Sequence, residues 1–235
     1  MYPTLFHFGH LYVPSFGVLA AVGILVALLL SERTAPLAGI EKNKLWDTGI
    51  FSVFAAFLLS RLLLVATNIH TFLAYPVVLL AMPSLTATGL LLAAIATAGW
   101  LYVKRISLLG ALDAWSPCAS LLWVFLALGH FAEGSDPGMP TSLPWHVHPV
   151  ALYAAIAASL VTTLGWILLR RHSAPSMTAA FTLALAGLAQ FLLSFLRVPG
   201  ELSFGGLDLL QIVSLGMLLA GIALGARTLV FAQRQ

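Results

Sequence analysis

Three histidines and a glutamate lie close together in a segment that contains no lysine or arginine. The segment, residues 128–149, reads LGHFAEGSDPGMPTSLPWHVHP and contains His130, Glu133, His146 and His148. His130 and Glu133 are three residues apart, so they share a face if the segment begins as a helix. The three imidazoles and the carboxylate are a possible set of metal ligands, but the spacing matches no HExxH-type motif. We therefore expect no bound metal, and we keep a metal-dependent enzyme as the weakest alternative.

Two arginines stand out because each lies at the end of a long apolar stretch. Arg61 lies near the end of the apolar stretch at 46–66. Arg197 occurs in FLRVPGE, where Glu201 offers an ion-pair partner. An arginine near hydrocarbon is costly unless its charge reaches water or an anion. Both residues can serve as interfacial anchors, or their planar guanidinium groups can bind a lipid phosphate.

The composition identifies the elements that must hold these side chains. Of 235 residues, 60% are hydrophobic and only 8% are charged, whereas about 25% of the residues in soluble domains are charged. One cysteine, Cys118, excludes an intramolecular disulfide and a cysteine-based metal site. These values predict a single all-α domain, residues 1–235, that is a polytopic integral membrane protein.

Seven apolar stretches are long enough to cross a bilayer, at about 20 residues each. They are separated by short breaks rich in Gly, Pro, Ser and charge, and they lie at 13–32, 46–66, 85–103, 107–127, 149–169, 177–196 and 207–227. A shorter apolar piece from Phe72 to Met82 suits an interfacial or re-entrant segment better than a span.

The basic residues predict the orientation of these spans. Nine of the eleven Lys and Arg residues follow odd-numbered spans, and only Arg61 and Arg197 follow even-numbered ones. Because positive charge accumulates on the cytoplasmic side, the N-terminus is expected in the periplasm and the C-terminus in the cytoplasm. Segment 128–149 is then a periplasmic loop that carries the candidate site. The basic residues are also too dispersed for a nucleic-acid surface, so we expect no nucleic-acid partner.

Several short motifs, in order along nearly the whole chain, resemble those of the prolipoprotein diacylglyceryl transferase family. These are FGVLAAVGILVALLL at 16–30, SRLLLVATNIHTF at 60–72, DAWSP at 113–117, LGHFAEG at 128–134, HPVALY at 148–153, FLRVPGE at 195–201 and LLQIVSL at 209–215. The loop residues Pro140, Thr141, Pro144 and Trp145 resemble a divergent branch of that family.

The resemblance implies a multi-pass enzyme of the bacterial inner membrane that needs no cofactor. Such an enzyme moves the diacylglyceryl group of phosphatidylglycerol, or of another anionic phospholipid, onto the lipobox cysteine of a preprolipoprotein signal peptide. This reaction needs a base to form the thiolate, and cations to stabilise the departing glycerol phosphate. His130 is the first candidate for the base and His148 the second, because imidazole titrates near neutral pH.

The remaining site assignments come from matching positions in the family motifs. Glu133 and Tyr153 complete the predicted catalytic group. The predicted lipid- or phosphate-binding residues are Arg61, Arg197, Asn68, Thr88 and Gln190.

The chain departs from the family pattern at several positions. Thr88 stands where the family has its essential histidine, and Gln190 and Ser194 stand where it has arginine and glutamate. In the signature motif, Ala127, His130, Glu133 and Ser135 replace arginine, asparagine, asparagine and glutamate. The alternative is therefore a paralogue that binds lipid or lipoprotein without catalysing the transfer.

Overall fold

A computed structural model describes most of the chain and shows an almost entirely helical protein. The described residues are 4–8, 11–75, 85–142, 146–171, 174–198, 202–204 and 206–232. Within them are eight α-helices: α1 Ser15–Thr34, α2 Lys42–Thr67, α3 Ile69–Ala74, α4 Ala87–Val103, α5 Leu108–Glu133, α6 Val150–Arg170, α7 Met177–Ser194 and α8 Leu209–Ala232. A short 3-10 helix, Pro36–Ala38, links α1 to α2.

Two small antiparallel hairpins accompany the helices. Strands β1 (Thr4–Phe8) and β2 (Leu11–Pro14) precede α1, and strands β3 (Leu202–Phe204) and β4 (Leu207–Asp208) precede α8. Both hairpins therefore lie directly before a long helix.

The long helices confirm the prediction of an all-α polytopic membrane protein. Six of the described helices have at least 18 residues and are apolar enough to cross a membrane, and α4 is a shorter apolar helix of 17 residues. A helix satisfies its backbone hydrogen bonds internally, which hydrocarbon requires. Each of the seven predicted spans thus corresponds to one helix. The segment Phe72–Met82 begins inside α3, and its residues from 76 onward lie outside the described residues.

Helix α5 continues six residues beyond the end of the predicted span at residue 127. It continues to Glu133, where Gly134 adopts a left-handed conformation (φ 70°) and its N–H donates to the carbonyl of His130 at 2.8 Å. Hydropathy locates the edge of the apolar stretch, whereas the helix ends at a glycine that tolerates positive φ. The first six residues of segment 128–149 are consequently helical, and His130 and Glu133 lie in the last turns of α5.

Helix α5 is the centre of the bundle, with α1, α6 and α7 packed against it. Helix α8 packs mainly on α7, and α4 mainly on α2. A buried cluster joins α5, α6 and α7 and consists of Ala127, Val150, Ala154, Ala155 and Leu193. Small side chains in this cluster let the helices approach closely, as is usual in membrane bundles.

A buried carboxylate joins α5 to α7 at the opposite end of the bundle from Glu133. Asp113 accepts hydrogen bonds from the backbone N–H of Ser176 (2.6 Å) and of Ala179 (2.8 Å). These are N–H groups of the first turn of α7, which have no partner within their own helix. Asp113 therefore fixes where α7 begins relative to α5.

Candidate functional site

The loop after α5 forms a small sheet-like structure against the end of α7. Met139 N–H donates to the carbonyl of Leu196 (2.8 Å), and His148 N–H donates to the carbonyl of Met139 (3.0 Å). Isolated antiparallel bridges pair Gly138 with Arg197 and Pro140 with Val147. Residues 196–198, 137–141 and 146–148 thus run side by side, and we call this group the loop sheet.

Gly138 in the middle of the loop sheet permits its close packing. A Cβ atom added to Gly138 would lie 2.0 Å from the carbonyl oxygen of His148 and 2.9 Å from its Cβ. Real atoms do not approach so closely, so only glycine fits without a shift of the backbone. Gly138 therefore brings Arg197 and His148 to either side of one extended segment.

Arg197 forms an ion pair within this loop sheet. Its Nη2 lies 2.9 Å from Oδ2 of Asp136, and the two side chains are only 21% and 17% exposed. The predicted partner, Glu201, lies outside the described residues, so that pairing stays a prediction. The buried Nε of Arg197 has no hydrogen-bond partner among the described residues.

His130 lies on the last turns of α5 and is exposed. Its Nδ1 is 2.8 Å from the hydroxyl oxygen of Ser135, and its ring lies 4.7 Å from that of Phe16, measured between centroids. Glu133 Oε1 accepts a hydrogen bond from the backbone N–H of Phe16 at 3.3 Å. The imidazole is therefore oriented by Ser135 and Phe16, whereas Glu133 bonds to the start of α1.

His148 and Tyr153 lie where the loop sheet meets α6. The His148 Nδ1 atom is buried and has no hydrogen-bond partner within the described ranges. The two rings are 6.3 Å apart between centroids, and Tyr153 packs against the cluster that joins α5, α6 and α7. His148 is thus an imidazole with one unused nitrogen, close to the Arg197 end of α7.

Three predicted lipid-binding residues lie on the α2–α4 side of the bundle. Arg61 is half-buried and follows Ser60, whose hydroxyl oxygen accepts from the backbone N–H of Thr86 at 3.3 Å. Asn68 follows the last residue of α2, and its side-chain N–H donates to the carbonyl of Leu64 at 3.0 Å. Thr88 is exposed on the first turn of α4.

Gln190 lies in α7, seven residues before Arg197, and lines a cavity of about 390 Å³ between α5, α7 and α8. Among the described residues, its buried Oε1 atom has no hydrogen-bond partner. The structure places His148, Tyr153 and Arg197 at the loop sheet, and His130 lies on the last turns of α5, just before that sheet. Gln190 lies deeper in the same helix pair, and Arg61, Asn68 and Thr88 lie on the α2–α4 pair.

The four residues considered as metal ligands do not form one cluster. In the part of the chain that the structure describes, no three His, Cys, Asp or Glu side chains come together as a metal site. His146 is exposed and has a positive φ of 58°.

Sequence reasoning did not identify Ser135, Asp136 or Gly138 as site residues. Asp136 carried a usable signal, because it is an acid in a segment without lysine or arginine and so needs a cation from elsewhere. Ser135 was noted only as a substituted position of the signature motif. Gly138 gave no signal, since its importance depends on which segments become neighbours in the folded chain.

The described groups support proton transfer and binding of a polar ligand. The imidazoles of His130 and His148 can accept a proton, and the Arg197 guanidinium can donate to an oxyanion.

Comparison with known proteins gives one consistent result. Residues 3–227 match the sequence profile of the prolipoprotein diacylglyceryl transferase family. Among curated relatives, the phosphatidylglycerol–prolipoprotein diacylglyceryl transferase of Clostridium tetani is 23% identical, over 94% of this chain and 96% of its own length. Proteins of the same name from Geobacter sulfurreducens and Gloeobacter violaceus are 28% and 27% identical, over 94% and 99% of this chain and 93% of their own lengths. The chain, whose ordered motifs and helical bundle led to the same expectation, belongs to the prolipoprotein diacylglyceryl transferase family.

Proposed function

We propose that this protein transfers the diacylglyceryl group of phosphatidylglycerol to the cysteine thiol of a preprolipoprotein signal peptide. The observation that carries the proposal is the match to the family along residues 3–227, almost the whole chain. The relatives from Clostridium tetani and Geobacter sulfurreducens, both named as phosphatidylglycerol–prolipoprotein diacylglyceryl transferases, align over 96% and 93% of their own lengths.

The reaction breaks one carbon–oxygen bond and forms one carbon–sulfur bond. The thiolate attacks the diacylglyceryl carbon that carries the phosphodiester oxygen, a thioether forms, and glycerol phosphate departs with the bonding electron pair. The proton of the thiol must pass to a base, since the thiolate is the nucleophile. The site therefore has to supply a base and groups that stabilise the phosphate.

His130 is the proposed base. Its Nδ1 is engaged with Ser135, so Nε2 is the nitrogen that takes the proton. Ser135 and the adjacent ring of Phe16 hold the imidazole in one orientation, which is what a general base requires. His148, with its unbonded Nδ1, is the second candidate. Glu133 and Tyr153 act by holding α1 and α6 in place around the two imidazoles.

Arg197 and Arg61 are the proposed phosphate-binding cations. Arg197 is held in place by Asp136 through one terminal nitrogen, which leaves its other N–H groups for phosphate oxygens. Arg61 approaches from the α2–α4 side, where Asn68 and Thr88 supply neutral polar groups. Gln190 lies deeper, in the cavity between α5, α7 and α8.

We place the site at the outer face of the bacterial inner membrane, with the N-terminus periplasmic. The support is the asymmetry of charge: Arg61 and Arg197 follow even-numbered spans, and the other nine basic residues follow odd-numbered ones. The signal peptide of a preprolipoprotein reaches that face after export.

A paralogue that binds lipid or lipoprotein without transfer is the second candidate. It is favoured by Thr88, which stands where the resemblance expects a histidine and whose hydroxyl cannot act as a base near neutral pH.

Complementation tests the proposal in cells. A bacterial strain depleted of its own diacylglyceryl transferase should grow when this chain is expressed at normal membrane levels. Failure to grow, with the protein present in the membrane and correctly inserted, would favour the non-catalytic paralogue.

A further inference from the structure

The cavity between α5, α7 and α8 extends along much of the bundle. At one end it is lined by Gln190 and Leu210, close to the end of α7 and the start of α8. At the other end it is lined by Leu112 and Ala179, near the starts of α5 and α7. Its walls are mostly apolar, so an elongated apolar ligand fits it.

None of the described residues that line this cavity is charged. An anionic group buried there would have no cation to compensate for lost hydration, which is costly. The charge pattern therefore selects a neutral group for the polar part of the ligand.

The hydroxyl groups of the cavity wall already donate to their own helices. The donor–acceptor distances to the carbonyl four residues earlier are 2.6 Å for Ser116, 3.1 Å for Ser120, 2.8 Å for Thr182 and 2.6 Å for Ser214. Their protons are consequently not offered to a ligand or to Gln190.

Gln190 is the exception in this wall. Its Oε1 atom is buried and accepts no hydrogen bond from the part of the chain that the structure describes. An amide oxygen in this state lacks the bonds it makes with water, and a donor from a ligand would restore one of them. The ligand group that pairs with Gln190 Oε1 must be an O–H or N–H donor, because ester and phosphate oxygens only accept hydrogen bonds.

We propose that this cavity binds a neutral glycerolipid with a free hydroxyl, of the diacylglycerol class. Its hydroxyl donates to Gln190 Oε1 at the α7 end, and its acyl chains lie along the apolar wall toward Leu112 and Ala179. This binding goes beyond the transfer reaction, because it requires neither an acceptor peptide nor turnover.

A pair of matched ligands tests the hydrogen bond. The purified full chain in detergent micelles is titrated with 1,2-dioctanoylglycerol and with its 3-O-methyl ether, and native mass spectrometry gives both dissociation constants. The ether keeps the shape and the acyl chains but cannot donate. We expect the alcohol to bind about tenfold more tightly, the scale of one hydrogen bond to a buried polar group.

Three variants assign that difference to Gln190. Gln190→Leu, and Gln190→Met as a second variant of similar volume, should bind the alcohol and the ether equally. Ser116→Ala lines the same cavity but removes a hydroxyl that already donates to Leu112, so it should keep the tenfold preference. Equal binding of the two ligands by the unmodified chain, or a preference that survives in both Gln190 variants, would overturn the proposal. A chain that prefers the alcohol through Gln190 but transfers nothing would leave this proposal standing and refute the transferase activity.

Discussion

The imidazole of His130 is positioned by Ser135 and Phe16, whose contacts with it no motif predicted. Ser135 Oγ lies 2.8 Å from its Nδ1, and the ring of Phe16 lies beside it. The choice of His130 as a candidate base was possible from the sequence, because histidine is rare in apolar helices and is suited to proton transfer. The partners were not predictable, since they come from the following loop and from a helix that begins more than a hundred residues earlier.

Replacement of His130 tests whether this imidazole acts as the base. His130→Ala should lower the rate of transfer about a hundredfold or more, the usual scale for loss of a general base, with little change in lipid binding. His148→Ala, measured in parallel for the rate and for phosphatidylglycerol affinity, should have a smaller effect. Unchanged turnover in His130→Ala would show that this histidine is structural. His148 would then be the candidate for the general base.

The two arginines at the even-numbered spans are proposed to bind phosphate. Arg61→Ala and Arg197→Ala should each weaken binding of phosphatidylglycerol several-fold, because each removes a charge-assisted hydrogen-bond donor. Arg234→Ala, near the C-terminus, is the control and should bind as the unmodified chain does. Equal affinity of all three variants in a nanodisc titration would remove the phosphate-binding role.

The pairing of Arg197 with Asp136 was not predictable from local sequence. The predicted partner Glu201 lies four residues from Arg197 and outside the described residues, so that pairing stays a prediction. The pairing depends on the bridge between Gly138 and Arg197, which sets residues 137–141 beside the end of α7. Such a register is a property of the folded chain and not of either segment.

At the scale of elements, the helices were predictable and their exact ends were not. Long apolar stretches must be helical in hydrocarbon, and each of the seven predicted spans corresponds to a helix in the structure. The end of α5 differs from the predicted end of the span because Gly134, rather than the last apolar residue, terminates the helix. This difference matters, since it places His130 and Glu133 on a rigid element instead of a loop.

The junction of α5 and α7 depends on one buried carboxylate. Asp113→Ala would leave the N–H groups of Ser176 and Ala179 without their acceptor. We expect a loss of roughly 2–4 kcal/mol in the free energy of unfolding, since each unpaired buried donor costs about 1–3 kcal/mol. Thermal unfolding in detergent measures this loss of stability.

Two further variants separate this role from a general effect of charge. Asp113→Asn keeps one acceptor oxygen and should recover part of the stability. Asp47→Ala removes an exposed carboxylate from α2 and should leave the unfolding temperature nearly unchanged. Unfolding of Asp113→Ala at the same temperature as the unmodified chain would contradict the capping role.

At the scale of the whole molecule, the bundle has two chemically different ends. The loop sheet, His130 and the Arg197–Asp136 pair lie at one end, and most of the basic residues lie at helix ends on the other. Seven crossings predict that the two termini lie on opposite sides of the membrane. Which end faces the cytoplasm is a prediction from charge asymmetry.

Reporter fusions test that orientation. Fusions within residues 34–45, 104–106 and 170–176 and at the C-terminus should report a cytoplasmic location, because these segments carry the basic residues. A fusion within 134–142 should report the periplasm. A periplasmic signal from the segment 170–176 would contradict the seven-span topology.

The central claim is that this chain, despite its substituted motif residues, moves a diacylglyceryl group to a cysteine. The direct measurement is mass spectrometry of a synthetic lipobox peptide after incubation with the purified chain and dipalmitoyl phosphatidylglycerol in micelles. We predict a peptide product heavier by one dipalmitoylglyceryl group, together with an equal amount of glycerol phosphate, and no product from the peptide with Ser in place of Cys. The Clostridium tetani relative serves as the positive control in a parallel reaction. A peptide that the control modifies but that this chain leaves unmodified would contradict the account.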